Sequence, residues 1–438
     1  MSESLEAIHD GRRVGVLRYG RDRLRFEYDA TWREDRASFP LSLSMPLTRR
    51  EHDDAVVRPF LSGLLPDNNE VLRRWGQRFQ VSARNPFRLL SHVGEECAGA
   101  VQFIPPESAG RWLAGKAPDG VAWLADDELV ERISDLVNDH SRARRIGDVG
   151  QFSLAGAQAK IGLYRDSESK RWGIPEGSTP TTHILKPNVG AFHHYEENEH
   201  FCLQLARRLG LQTARSWTER IGDIPVIIVE RFDRAAVGGR IVRIHQEDTC
   251  QALGRMPEIK YQNQGGPSAS EIFELIRDNS ARPQEDVERF LDALIYHWLI
   301  GGTDAHAKNH GFLLAGGGQI RLAPLYDLSS CLPYPRDILP KKAKLAMKIG
   351  GDYLLWKIGR DHWRKAAEEW KLDPALVTER LIRMASAMPE AASEVGEAIA
   401  AGSIPVGGAF VRRLAAAISD RAEECRRHFS EAKKQDPA

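Results

Sequence analysis

Gly302-Thr-Asp-Ala-His-Ala-Lys-Asn309, followed by Leu325-Tyr-Asp327, is the stretch on which the fold of this 438-residue chain turns. It sets Asp304 five residues ahead of Asn309 and brings a second aspartate, Asp327, after a β-patterned segment. A phosphoryl-transfer site of the protein-kinase type needs these parts in this order. One carboxylate orients the attacking hydroxyl, and a carboxamide and a second carboxylate hold the Mg2+ ions that neutralise the phosphates. An Asp-x4-Asn by itself reads as loop capping and Asx-turn chemistry; the aspartate beyond the hairpin sets this one apart. The expected chemistry is ATP-dependent.

Upstream, Val287, Phe290, Leu291, Leu294, Ile295, Trp298 and Leu299 recur at helical spacing and predict a buried helix. Gly301 and Gly302 end it where glycine is favoured beyond a C-terminus, so Asp304 starts a loop mounted on a rigid element. Downstream, Phe312 to Leu314, Gly316-Gly-Gly318 and Ile320 to Leu322 predict a hairpin that returns Asp327 towards Asn309. His306 and His310 stand four apart but lack the glutamate of H-E-x-x-H, which argues against a zinc hydrolase. His193 and His194 have no third ligand at a recognisable spacing and read as surface residues.

Lys plus Arg and Asp plus Glu both number 61, so the formal net charge is zero and no long-range basic field draws the chain to nucleic acid. Lys341, Lys342, Lys344 and Lys348 form a local basic cluster, read first as a solvated face. Five scattered cysteines without a Cys-x-x-Cys predict reduced thiols in a cytoplasmic protein. The start, Met-Ser-Glu-Ser, carries no targeting signal, and no apolar run reaches the ~18 residues of a membrane helix, so no membrane association is expected.

Residues 1–105 read as a mixed α/β unit, with strands at Val14 to Leu17, Leu24 to Tyr28 and Ala98 to Ile104, and Phe60 to Asp67 belonging to a helix that ends in a turn. Residues 106–148 read as a connector, Pro/Gly-rich to Gly120, with a helix near Asp126 to His140. A β-rich segment, 149–235, and a largely helical one, 236–438, complete an α+β, two-lobed protein-kinase-like layout: a β-rich N-terminal lobe with an extra α/β subdomain, then an all-helical C-terminal lobe. Gly110-Arg-Trp-Leu-Ala-Gly-Lys-Ala117 nearly matches the Walker A pattern. Ala117 lacks the hydroxyl that would meet Mg2+, and Pro118 follows.

For the nucleotide, Ser153-Leu-Ala-Gly-Ala-Gln-Ala-Lys160 is a small-residue loop whose amides suit phosphate as an anion-binding nest. Lys186, ending Thr182-His-Ile-Leu-Lys186, is the candidate phosphate lysine. Glu199 opens an amphipathic helix with Phe201, Leu205 and Leu209 and is a candidate partner for it, a role for which Glu196 and Glu197 compete. The apolar strand Val226 to Val229 leads to Glu230-Arg-Phe-Asp233, where a two-lobed enzyme has the hinge that meets adenine.

Together these segments resemble the HipA family of bacterial serine/threonine kinase toxins. The matching stretches are Ser153 to Lys160, Thr181 to Lys186, Glu230 to Arg234, Gln246-Glu-Asp-Thr-Cys-Gln251, Gly265-Gly-Pro267, Thr303 to Asn309 and Tyr326-Asp327. Ser42-Leu-Ser-Met-Pro46, Leu64-Leu-Pro-Asp-Asn68 and Gly94-Glu-Glu-Cys-Ala-Gly-Ala100 resemble that family's N-terminal domain. The resemblance implies ATP contacts from Ala155, Gly156, Ala157, Gln158, Ala159, Lys160, Lys186, Glu230, Arg231, Phe232, His306, Ala307, Lys308, Asn309, Tyr326 and Asp327. It makes Asp304 the catalytic aspartate with Asn309, puts Asn309 and Asp327 on Mg2+, and marks Ser153 for autophosphorylation. A phosphoserine adds about −1.5 to −2 charge at the mouth of a phosphate-binding loop, so repulsion is expected to eject the loop and inactivate the enzyme. Ala159 departs from the family, whose loop commonly has Glu there. Partners implied are a HipB-like helix-turn-helix antitoxin, operator DNA through that antitoxin, and a protein substrate of the aminoacyl-tRNA synthetase class. A corepressor that mainly supports the antitoxin on DNA is the alternative, and a kinase for a small molecule or lipid is a third.

Overall fold

The structure, a computed structural model, describes residues 3–139, 155–156, 158–189, 192–402 and 405–431, so Ser153 and Ala157 lie outside it. It divides into two compact units. The first joins three stretches of chain, 1–189, 219–260 and 311–323; the second holds 190–218, 261–310 and 324–438.

The first unit begins with an antiparallel sheet ordered Glu51–His52, Arg23–Tyr28, Arg12–Gly20, Glu3–His9, Gln102–Ile104. Alternation drives it: Leu24, Phe26 and Tyr28 are buried while Arg23 and Arg25 are exposed, as period-two burial on one face requires. Leu17 stands opposite both Leu5 and Phe26. Glycine is required at 15, where a Cβ would lie 2.4 Å from the Glu27 carbonyl oxygen and 2.6 Å from the Phe26 ring. Helices Asp54–Gly63, Asn69–Phe79 and Pro86–Val93 follow, each started by a side-chain cap from Asp53, Asn68 or Asn85.

A second sheet runs Ser216–Ile221, Ile224–Glu230, His183–Pro187, Ile161–Arg165, Trp172–Gly177, Asp119–Trp123, and the boundary between units passes through its first strand. Its outermost strand, Asp119–Trp123, comes from the stretch expected to be a connector, which also contributes the helices Pro106–Leu113 and Asp126–Asn138. The near-Walker sequence is not a phosphate loop. Gly110 to Leu113 are helical, and Trp112 packs with Ile8, Ile104 and Ala109. Strand His245–Asp248 pairs with Gly311–Ala315, itself paired with Gln319–Leu322, so the expected hairpin belongs to this unit.

Among the described residues, the regular structure of the second unit is helical apart from the start of Ser216–Ile221 and the hairpin Lys344–Ile349 with Asp352–Leu354. Its central helix, Pro283–Ile300, has proline in its first turn and Gly301 at φ +67° beyond its end. Phe290 and Trp298 on this helix pack edge-on to Phe273 and Trp363, at 4.8 and 5.6 Å between ring centroids. Among the described residues no helix is long and apolar enough to cross a membrane. None of the five cysteines forms a disulfide, and all are buried.

Candidate active site

The loop after the central helix builds itself from its own backbone. The carbonyl oxygen of Asp304 accepts from the amide of His306 at 2.8 Å and from the side-chain amide of Asn309, also at 2.8 Å. Asn309 therefore folds back over the aspartate five residues before it, the spacing quoted at the outset. Ala307–Asn309 form one turn of 3-10 helix; His306, Ala307, Lys308 and Asn309 are buried, and Asp304 stays exposed. The Tyr326 hydroxyl donates to the Lys308 carbonyl oxygen at 2.7 Å, which ties the segment carrying Asp327 to this loop. Asp327 itself holds φ +58°, a conformation that Asp and Asn tolerate better than most residues.

The stretch after Asp327 is fixed by a residue that sequence reading did not single out. Asn198, fully buried, donates to the Ser330 carbonyl oxygen at 2.8 Å and accepts from the Ser330 amide at 3.0 Å. The Ser330 hydroxyl donates to the Ile300 carbonyl oxygen at 2.6 Å. Beside it, the Tyr195 hydroxyl meets Ser329 at 3.1 Å. Burial and then the negative charges of Asp327, Glu199 and Asp304 raise this phenol well above its ordinary range. One buried hydroxyl thus feels three carboxylates from three separate stretches of chain.

His310 is buried edge-on to Phe290 and His297, and burial lowers its pKa to about 4. It is a core histidine, 2% exposed among aromatic rings. His193 is exposed and His194 half-buried, and the ligand atom of His194 lies within 4.8 Å of those of Glu196 and Glu197. The spacing His-x-Glu-Glu carries no metal-binding signature, so sequence alone did not bring the three together.

In the first unit, Gly156 has φ +106°, and its carbonyl oxygen accepts from the Asp67 amide at 3.1 Å. The Lys160 ammonium donates to the Ala155 carbonyl oxygen at 2.7 Å and would lie 2.4 Å from a Cβ at 156. Gln158 is half-buried and Ala159 buried. Lys186 is 6% exposed on its strand opposite Ile227, and Glu230 ends the neighbouring strand opposite His183.

Arg231 has most of its donors committed elsewhere. Its amide donates to the Thr182 carbonyl oxygen at 2.9 Å, and its guanidinium pairs with Asp233 at 2.7 Å and Glu96 at 3.1 Å. Glu96 also takes Arg234 at 2.6 Å, Arg243 at 2.5 Å and the Thr181 hydroxyl at 2.8 Å. Asp233 takes the Gly99 amide at 2.8 Å and the Gln246 side chain at 3.0 Å. Burial alone would raise the Glu96 carboxyl, but the three guanidiniums hold it down to about 2. Four of the stretches singled out in the sequence, Gly94–Ala100, Thr181–Lys186, Glu230–Arg234 and Gln246–Gln251, therefore meet in one buried ionic lattice. If Arg231 offers anything to a nucleotide, its carbonyl oxygen is the group left to do so.

Comparison with known proteins agrees along nearly the whole chain. Residues 152–392 match the family model described as the HipA-like C-terminal domain, and 5–104 match the HipA N-terminal domain. A protein of Sinorhizobium fredii named "Putative kinase Y4mE" is 37% identical over 94% of this chain and 96% of its own length. The serine/threonine-protein kinase toxin HipA of Shewanella oneidensis is 29% identical over 85% of this chain and 84% of its own. A solved structure of the Shewanella oneidensis toxin–antitoxin complex of HipA, HipB and operator DNA matches with a TM-score of 0.82 at 26% identity, covering 99% of this chain and 100% of that one.

Proposed function

Because this chain belongs to the HipA family, we propose that it is an ATP-dependent serine/threonine protein kinase and the toxin of a two-protein toxin–antitoxin module. The observation that carries the proposal is the convergence of Asp304, Asn309 and the Asp327 segment on one self-bonded loop. In this reading the Asp304 carboxylate receives the proton of the acceptor hydroxyl. The hydroxyl oxygen bonds the γ-phosphorus as the bond to the ADP oxygen breaks. Asn309 spends an amide hydrogen on Asp304 and keeps its side-chain oxygen, and Asp327 adds a carboxylate; hard oxygen ligands of this kind suit Mg2+. When bound, Mg2+ supplies neutralisation of the phosphate charge. Ala155 to Lys160, with Lys186, serve the phosphates, His306 to Lys308 and Tyr326 complete the nucleotide set, and Glu230 to Phe232 meet adenine. Phosphorylation of Ser153 would switch the enzyme off by charge repulsion.

The partners that follow from family membership are a HipB-like helix-turn-helix antitoxin, operator DNA through it, and a cytoplasmic protein substrate of the aminoacyl-tRNA synthetase class. The match to a chain solved with HipB and operator DNA also favours a corepressor role, which can coexist with catalysis. Intact mass after incubation with Mg-ATP separates the two. One added phosphate in the wild type, absent from Asp304→Ala and from Ser153→Ala, is the expected result. No gain in phosphatase-treated wild type that still binds ATP would leave the corepressor reading.

A further inference from the structure

The hydroxyl of Tyr261 donates to Oδ1 of Asp304 at 2.5 Å, and its ring stands edge-on to His306 with centroids 5.1 Å apart. The turn that delivers it is well anchored. The Tyr261 carbonyl oxygen accepts from Gln264 at 2.9 Å and Gly266 at 3.0 Å, and Gly265 supplies the left-handed residue at φ +88°. The side-chain oxygen of Gln262 accepts from the Lys348 amide at 2.8 Å, which fastens the turn to the strand Lys344–Ile349. His306 and Asn309 fix the backbone of Asp304 through its carbonyl oxygen. The phenol instead meets the carboxylate oxygen itself, on an exposed aspartate.

A phenolic hydroxyl donating to a catalytic carboxylate makes the same hydrogen bond as the serine or threonine hydroxyl that the carboxylate is there to receive. We propose that Tyr261 is a specificity-determining residue that occupies the acceptor-hydroxyl position on Asp304 and withholds that oxygen from water until a protein acceptor displaces it. The inference rests on Asp304 being the catalytic carboxylate. Its consequence is a kinase that wastes little ATP. Hydrolysis needs water to give its proton to Asp304 while its oxygen bonds the γ-phosphorus and ADP leaves, and the tyrosine competes with water for that oxygen.

The test is phosphate release from Mg-ATP by the full chain with no acceptor protein added. Tyr261→Phe keeps the ring and removes the hydroxyl, and is expected to raise release about tenfold, the scale of one hydrogen bond to a charged group, with the KM for ATP unchanged. Gln262→Ala, which loosens the turn without touching Asp304, is expected to raise release in the same direction. Unchanged or slower release in both variants, with melting temperatures near wild type, overturns the proposal. Asp304→Asn separates the two layers of the argument. If it abolishes autophosphorylation while Tyr261→Phe leaves release flat, only the gate fails. If wild type and every variant transfer no phosphate at all, the kinase reading fails and the gate falls with it.

Discussion

Glu96 and Glu247 are two buried carboxyls of the first unit whose surroundings push them in opposite directions. Glu96, among three guanidiniums, is held down to about 2. Its native ionised form therefore stabilises the protein above the ordinary carboxylate range, and that contribution is lost as pH falls towards 2. Glu247 accepts from the Leu43 amide at 2.7 Å and the Ser42 hydroxyl at 2.5 Å with no cation beside it, and burial raises it to about 8. The folded chain keeps that proton longer than the unfolded one, so its contribution is full at low pH and is lost as pH rises through 8. Urea unfolding across pH should show both limbs. Glu247→Gln, which keeps a hydrogen-bonding amide of the same shape, should flatten the decline between pH 5 and 8. Glu96→Gln should make the acid limb shallower, Asp233 still contributing to it, and cost ~3–5 kcal/mol at neutral pH, because it leaves buried guanidiniums underpaired. An unaltered alkaline limb in Glu247→Gln would show that this carboxyl is not its source.

At the level of elements, the helix Tyr195–Arg208 shows what patterning reveals and what it hides. Phe201 and Leu205 announced its core face, and both are fully buried. Glu199 read as a candidate partner for Lys186 and Asn198 drew no reading, yet both are buried and Asn198 clamps Ser330. Hydrophobic period is a local property and can be read along the chain, as it was for Val287 to Leu299 and for the hairpin Gly311–Ala315 with Gln319–Leu322. A buried polar partner more than a hundred residues away leaves no local trace. The pairing of His245–Asp248 with Gly311–Ala315 and the commitment of Arg231 to Glu96 also join stretches far apart in sequence, and the resemblance that flagged Arg231 could not say which way its side chain pointed. Asn198→Ala tests the clamp. Losing two buried hydrogen bonds should cost ~1–3 kcal/mol. If the clamp holds the Asp327 segment, autophosphorylation should slow at least tenfold while ATP affinity changes little. A folded variant with the wild-type rate would reduce Asn198 to a packing role.

For the whole molecule, two family domains, 5–104 and 152–392, invite the view that the N-terminal part is a detachable module. The first unit argues otherwise, since the N-terminal residues reach into it at several places. The Asp67 amide holds the Gly156 carbonyl oxygen, Glu96 pairs with Arg231, Arg234 and Arg243, and the Gln251 side chain donates to the Phe60 carbonyl oxygen at 2.8 Å. A chain cut to 106–438 would keep three buried guanidiniums with Asp233 as the one carboxylate left in their lattice, and would uncover the face on which Gln251 and His245 pack. Uncompensated buried charge of this kind costs several kcal/mol per group, comparable with the entire ~5–15 kcal/mol stability of a folded domain. The expected result is that 106–438 alone gives no cooperative thermal transition, and that adding residues 1–105 as a separate chain restores one whose midpoint rises with fragment concentration. A cooperative melt of 106–438 near the full-length midpoint would mean that the lattice relaxes without Glu96. The N-terminal part would then be an appendage to the first unit and not a structural part of it.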